Sequence, residues 1–164
     1  MNPEARRPVI SFDLDDTLRL HEPGVPREPQ RWGWLLRLAW PEPLRPGTVR
    51  LVRELEAMGC EIAIYTTSAR PASYIRRWLR CYGIKVVLVV NEARHAKEVA
   101  PRFAKGGSPS KHPGLFGIDL HVDDSVGVAM EGERHGFRTV VVAPDDVAWA
   151  ERVLRAATDL LEKR

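Results

Sequence analysis

Cysteine is scarce in this chain. Its two residues, Cys60 and Cys81, are too few for a disulfide framework, and neither has a metal-ligating companion nearby. Both read as small buried apolar residues. Long hydrophobic runs are missing too. The longest aliphatic stretch, residues 86–90, is far too short to span a bilayer. Residues 1–8 are charged and carry no apolar segment of the secretory kind. Neither sign of charge dominates, with 25 Lys and Arg against 22 Asp and Glu, a net +3. So small an excess does not indicate nucleic acid as a partner. Internal repeats and low-complexity tracts are absent as well. What remains is the expectation of a soluble, cytoplasmic protein. Its 164 residues, 44% of them hydrophobic, suit one domain spanning 1–164.

Hydrophobic runs and turn signals alternate along the chain. Residues 8–12, 61–65, 85–90, 118–122 and 138–143 are rich in β-branched side chains and have strand length. Helical spacing lies between several of them. Pro46-Gly47 opens one helix, carrying Val49, Leu51, Val52, Leu55 and Met58 and stopped by Gly59. Pro71 opens a second, with a stripe of Ile75, Trp78, Leu79 and Tyr82. Asp145 or Asp146 is positioned to cap a last helix. This alternation predicts an α/β fold of three layers, Rossmann-like, with a mostly parallel five-stranded sheet. Two stretches break the rhythm. A Pro- and Trp-rich flap or insertion at about 19–46 holds Trp32, Trp34 and Trp40, with one short helix expected around the tryptophans. From 91 to 113 the chain is basic and reads as loop.

Four groups of residues carry chemistry. Asp13 and Asp15 follow the first strand, in Phe12-Asp13-Leu14-Asp15-Asp16-Thr17. Ordinary turn chemistry needs only one of two carboxylates at that spacing, and a divalent cation would stabilise the pair. Asp123 and Asp124 follow the fourth strand, where one acid could simply cap a helix. In a parallel sheet the carboxyl ends of strands share one edge, so the two acidic pairs can converge there. An oxygen-rich cluster with open positions suits Mg2+. Thr66 and Thr67 end the second strand, either as turn residues or as donors to a phosphoryl oxygen. Lys111 precedes the fourth strand and would compensate a phosphate lying beside carboxylates.

In this order the four groups resemble the motifs of the haloacid dehalogenase (HAD) superfamily of phosphotransferases. Asp13-x-Asp15-x-Thr17 matches the first motif, Thr66 the second, Lys111 the third and Asp123-Asp124 the fourth. The resemblance covers about residues 8–145. It implies a Mg2+-dependent phosphomonoester hydrolase in which Asp13 is the nucleophile of an aspartyl-phosphate intermediate and Asp15 the general acid and base. It also implies that Thr66, Thr67 and Lys111 hold phosphoryl oxygens. The metal would rest on Asp13, the Asp15 carbonyl and the Asp123-Asp124 pair, with Asp124 favoured for direct contact. The intervals between motifs leave no room for a full cap domain, so the chain looks like a capless member, similar to small magnesium-dependent phosphatases.

Other readings stand beside this one. A receiver domain has the wrong order of motifs, because the third run here ends in Val90-Asn91-Glu92. A non-catalytic phosphate- and Mg2+-binding module, or a regulatory protein retaining the fold, is the main alternative. The tryptophans of the flap would pack into the chain's own core, stack on a bulky phosphorylated substrate, or join a second copy in a homo-oligomer. The basic run Arg94, His95, Lys97, Arg102 and Lys105 reads as a solvated face, with the steering of a phosphorylated ligand as the minority alternative. Asp119 and His121, odd inside a covered strand, are expected to bond each other or a neighbouring helix, with a supporting role behind the metal ligands as the lesser alternative.

Overall fold

The computed structural model describes residues 6–21, 27–29, 42–103 and 107–163. The β-branched runs form five strands: β1 (Val9–Phe12), β2 (Glu61–Tyr65), β3 (Leu88–Val90), β4 (Leu120–Asp123) and β5 (Thr139–Val141). They pair in the order β3-β2-β1-β4-β5, and every pairing is parallel. Central β1 aligns Ser11 with Ala63 on one side and with His121 on the other. Among the described residues, five α-helices accompany the sheet: α1 (Thr48–Ala57), α2 (Ala72–Arg80), α3 (Glu92–Glu98), α4 (Val126–His135) and α5 (Trp149–Glu162).

Because side chains alternate along a strand, the register divides the sheet into two unlike faces. One face carries Ile10, Phe12, Ile62, Ile64, Val89, Leu120 and Val122. These pack with Leu51 and Leu55 of α1, Ile75, Trp78 and Leu79 of α2, and Val153 and Ala157 of α5 in the main core. The other face carries Val9, Ala63, Tyr65 and Val90, with Ile118 and Phe116, as a smaller apolar cluster. The same face also holds buried Ser11, His121 and Asp123. The polar machinery therefore sits on the thinner face, and the aliphatic mass supports it from behind.

Expected boundaries shift in places. The stretch expected as loop contains α3 and a short 3-10 turn at Ala100–Phe103. Asn91 caps α3 by accepting from the Arg94 N–H at 3.1 Å. No residue of α3 is buried, which explains why it shows no apolar stripe. The last helix begins at Trp149, with Asp146 Oδ1 accepting from the Ala148 N–H at 2.9 Å. Gly47, at φ 84°, offers no side chain to α1, and Glu28 supplies the cap instead. Its carboxylate accepts from Gly47 N at 2.7 Å and Val49 N at 3.3 Å. Cys60 is buried, whereas Cys81 is half-buried. Trp32, Trp34 and Trp40, the helix expected around them, and Lys105 lie outside the described residues. Among the described residues, no helix is long and apolar enough to cross a membrane.

Candidate functional site

Asp13 leaves the carboxyl end of β1 with its N–H donated to the Val122 carbonyl at 2.9 Å, so the ladder to β4 runs one residue past the strand. A tight turn follows. Leu18 and Arg19 donate backbone N–H groups to the Leu14 carbonyl at 2.9 and 2.7 Å. Asp16 adopts a left-handed conformation, φ 59°, which Asp tolerates better than most residues. Arg45, 3% exposed, ties this turn to the loop after β5. Its guanidinium donates to the carbonyls of Thr17 at 3.3 Å, Ala143 at 2.8 Å and Asp146 at 2.9 Å, and lies over the Trp149 ring.

Lys111 joins the two acidic pairs. Its Nζ donates to Asp13 Oδ1 at 2.6 Å and to Asp123 Oδ2 at 2.5 Å, with all three residues at most 5% exposed. Asp123 takes two further donors, the Ser125 N–H on Oδ1 at 2.9 Å and His121 Nε2 on Oδ2 at 2.9 Å. His121 Nδ1 lies 2.7 Å from Ser11 Oγ. An ionised carboxylate only accepts, so the network assigns the imidazole proton to Nε2 and makes Ser11 the donor to Nδ1. His121 thus bonds Asp123 and Ser11. Asp119 faces elsewhere, accepting from Arg6 and from the Val9 N–H, so the mutual Asp119–His121 bond expected from sequence does not form.

The charges follow from this arrangement. Burial pushes the Asp13 carboxyl up to about 6; Lys111 opposes the rise and Asp123 adds to it. Burial would also raise Asp123, but the His121 hydrogen bond and the Lys111 charge hold it well below the usual carboxylate range. Burial lowers His121, in keeping with the neutral ring. Burial and the neighbouring Asp123 raise Asp124. Asp124 is half-buried and meets no side-chain donor among the described residues.

Asp15 is engaged in another direction. Arg70 grips its carboxylate with two nitrogens, at 2.8 Å to Oδ2 and 3.2 Å to Oδ1, and Arg19 adds a third contact at 3.1 Å. The same Arg70 fork holds Glu42 at 3.0 and 2.7 Å, and Glu42 also receives the Tyr74 hydroxyl at 2.8 Å. Although burial works the other way, these arginines pull the Asp15 carboxyl below its ordinary value. Thr66 is buried at the end of β2, with Oγ1 accepting from the Ser68 N–H at 3.1 Å, while Thr67 is exposed. Sequence reasoning passed over Arg70, Arg19 and Glu42. The only signal was Arg70 lying four residues beyond Thr66.

A divalent cation fits the donor set. Among the described residues, no three His, Cys, Asp or Glu side chains gather into a ready-made cage. Two carboxylates whose charged forms are disfavoured, Asp13 and Asp124, flank the edge, and among the described residues neither Asp13 Oδ2 nor Asp124 meets a side-chain donor. A cation that keeps waters and takes few protein oxygens, as Mg2+ does, matches that chemistry.

No family model and no curated protein matches this sequence. Solved structures do. One, in the Pnkp1/Rnl/Hen1 complex, is 17% identical at a TM-score of 0.50. It covers 85% of this chain, which spans about half of that one, 47%. A HAD-superfamily hydrolase, subfamily IA, variant 1, from Geobacter sulfurreducens PCA is 12% identical at a TM-score of 0.50, covering 82% of this chain and 86% of its own. A predicted HAD-like family hydrolase from Porphyromonas gingivalis, 14% identical at a TM-score of 0.49, covers 98% of this chain and 100% of its own. At such identities the likeness is one of fold, and the chain has the α/β fold of the haloacid dehalogenase superfamily, its acidic site at the carboxyl edge of the sheet.

Proposed function

We propose that the chain is a Mg2+-dependent phosphomonoester hydrolase. The observation that carries this reading is Lys111 bridging buried Asp13 and Asp123 at the carboxyl edge of a parallel sheet. A buried carboxylate beside a fixed cation is a nucleophile with charge compensation already in place for an incoming phosphoryl group. In the first step an Asp13 oxygen forms a bond to phosphorus while the ester oxygen leaves, taking a proton from Asp15 when the leaving group needs one. In the second, water attacks phosphorus, Asp15 accepts its proton, and the Asp13 carboxylate is released with inorganic phosphate. Lys111 and Thr66 stabilise the transferring oxygens, and Thr67, exposed at the rim, contacts the bound phosphate. The Asp13 carboxylate, the Asp15 carbonyl and Asp124 would hold Mg2+, which would supply charge neutralisation for the phosphoryl group, and Asp123, already taking three donors, would support it indirectly.

One observation favours the non-catalytic alternative: Asp15 is occupied by Arg70 and Arg19. A single assay separates the two readings. Purified chain with Mg2+ hydrolyses p-nitrophenyl phosphate, and both EDTA and Asp13→Asn abolish the activity. Activity surviving both treatments would sink the mechanism. Bound Mg2+ without hydrolysis of any phosphoester in a panel of sugar, nucleotide and peptide phosphates would select the binding module.

A further inference from the structure

Ser11 and His121 face each other across the β1–β4 pairing, and both are fully buried. Such polar groups are costly inside a sheet unless every hydrogen-bonding atom is served. Here they are served in one direction, towards the site. The Ser11 hydroxyl donates to His121 Nδ1 at 2.7 Å, which leaves the Nε2–H to donate to Asp123 Oδ2 at 2.9 Å. An isosteric apolar pair would fill the same volume, and the Tyr65 ring, 5.8 Å from the imidazole centroid, would pack equally well on phenylalanine. Filling space therefore does not explain a histidine at this position.

The position of Lys111 does explain it. Its ammonium is shared between Asp13 and Asp123, so its place depends on how firmly each carboxylate is held. Asp123 Oδ1 is fixed by the Ser125 N–H. Without His121, Oδ2 would have Lys111 as its sole donor among the described residues, and the carboxylate could follow the lysine rather than hold it. We propose that Ser11 and His121 are a positioning pair that locks Asp123, and through it Lys111, against the nucleophile Asp13. This inference rests on the phosphohydrolase reading of the site. His121 touches neither substrate nor metal and acts only through Asp123.

The experiment compares His121→Phe, His121→Gln and Ser11→Ala with the wild type, using p-nitrophenyl phosphate with saturating Mg2+ and a thermal melt of each protein. Partners that orient a ligating or catalytic carboxylate typically matter by roughly 10- to 100-fold. His121→Phe should lower kcat by that order with little change in KM. Glutamine places an N–H at nearly the reach of Nε2, so His121→Gln should recover a large part of the loss. Equal kcat in the Phe and Gln variants, or wild-type kcat in both, would overturn the proposal. If His121→Phe fails to fold, Ser11→Ala and a nitrogen-15 spectrum of histidine-labelled protein decide. The wild-type His121 should show the neutral tautomer protonated at Nε2. Ser11→Ala should keep the proton on Nε2, shift the Nδ1 resonance through loss of its hydrogen-bond donor, and lower kcat several-fold. A wild-type ring protonated at Nδ1 would refute the positioning pair. Wild-type protein that hydrolyses no phosphoester refutes the underlying phosphohydrolase reading instead, a result the tautomer measurement does not share.

Discussion

Arg70→Ala removes the hub of the network around Asp15. The substitution deletes two contacts to Asp15 and two to Glu42, while Arg19 and Tyr74 remain to serve the two acids. Side-chain exposures of 23% for Arg70, 35% for Asp15 and 15% for Glu42 place the cluster between two regimes. Exposed pairs contribute about 0–1 kcal/mol, and breaking a buried pair costs about 3–5 kcal/mol. A loss of about 2 kcal/mol follows, which for a domain of this size lowers the melting temperature by about 4–8 °C. The pH dependence has a definite sign. Asp15 is held below its ordinary carboxyl value, so its share of stability is present at neutral pH and is lost as pH falls through the acid range. The gap between wild type and variant, followed by circular dichroism, should therefore narrow as pH falls below about 3.9, the ordinary Asp value. Arg70→Lys, unable to form the fork, should recover only part of it. Equal melting temperatures at neutral pH, or a gap that does not change with pH, would refute this account of the cluster.

Three further outcomes follow from the packing. In metal-free protein the share of stability that depends on Asp13 should grow as pH falls from neutrality through about 6, because Asp13 binds its proton more readily folded than unfolded. His95, His112 and His121, which burial lowers, act in the opposite direction, so the difference between wild type and Asp13→Asn in thermal melts isolates the Asp13 slope. Lys111→Met leaves Asp13 and Asp123 facing each other without their shared cation, and should cost about 3–5 kcal/mol in urea denaturation at neutral pH. Gly132→Ala would place its Cβ 2.6 Å from the Phe137 carbonyl oxygen, a backbone atom that cannot rotate away, so a loss of about 1–3 kcal/mol should appear in the same measurement.

The sheet was legible because strands covered on both faces must be continuously apolar, and residues 61–65 are strand throughout, as their pattern implies. Helices α1 and α2 were legible from their stripes and the glycines that end them. The last helix, α5, was expected from the acids ahead of it, whereas α3 and α4 escaped for physical reasons. In α3 nothing is buried, and α4 buries only Val128 and Gly132 among its ten residues, so neither writes a hydrophobic period. At the site, Asp13 and Asp123 could be found because strand ends fix their common edge, whereas Lys111, which precedes β4, was singled out through the resemblance. The Arg70–Glu42 tie joins residues 28 apart, and Glu42 lies in the Pro- and Trp-rich stretch of the sequence, which breaks the alternation of runs used to place the other residues. His121 was visible as an oddity in a covered strand. Its partner could be identified only from the register that sets Ser11 beside it.

The central claim is that Asp13 carries a phosphoryl group during turnover. Asp15→Asn removes the base that activates water in the second step, while p-nitrophenolate leaves well without an acid in the first. Acid quenching of this variant during turnover, followed by tandem mass spectrometry, should locate one phosphoryl group on Asp13. A variant that continues to release p-nitrophenol with Asp13 never phosphorylated would contradict the account.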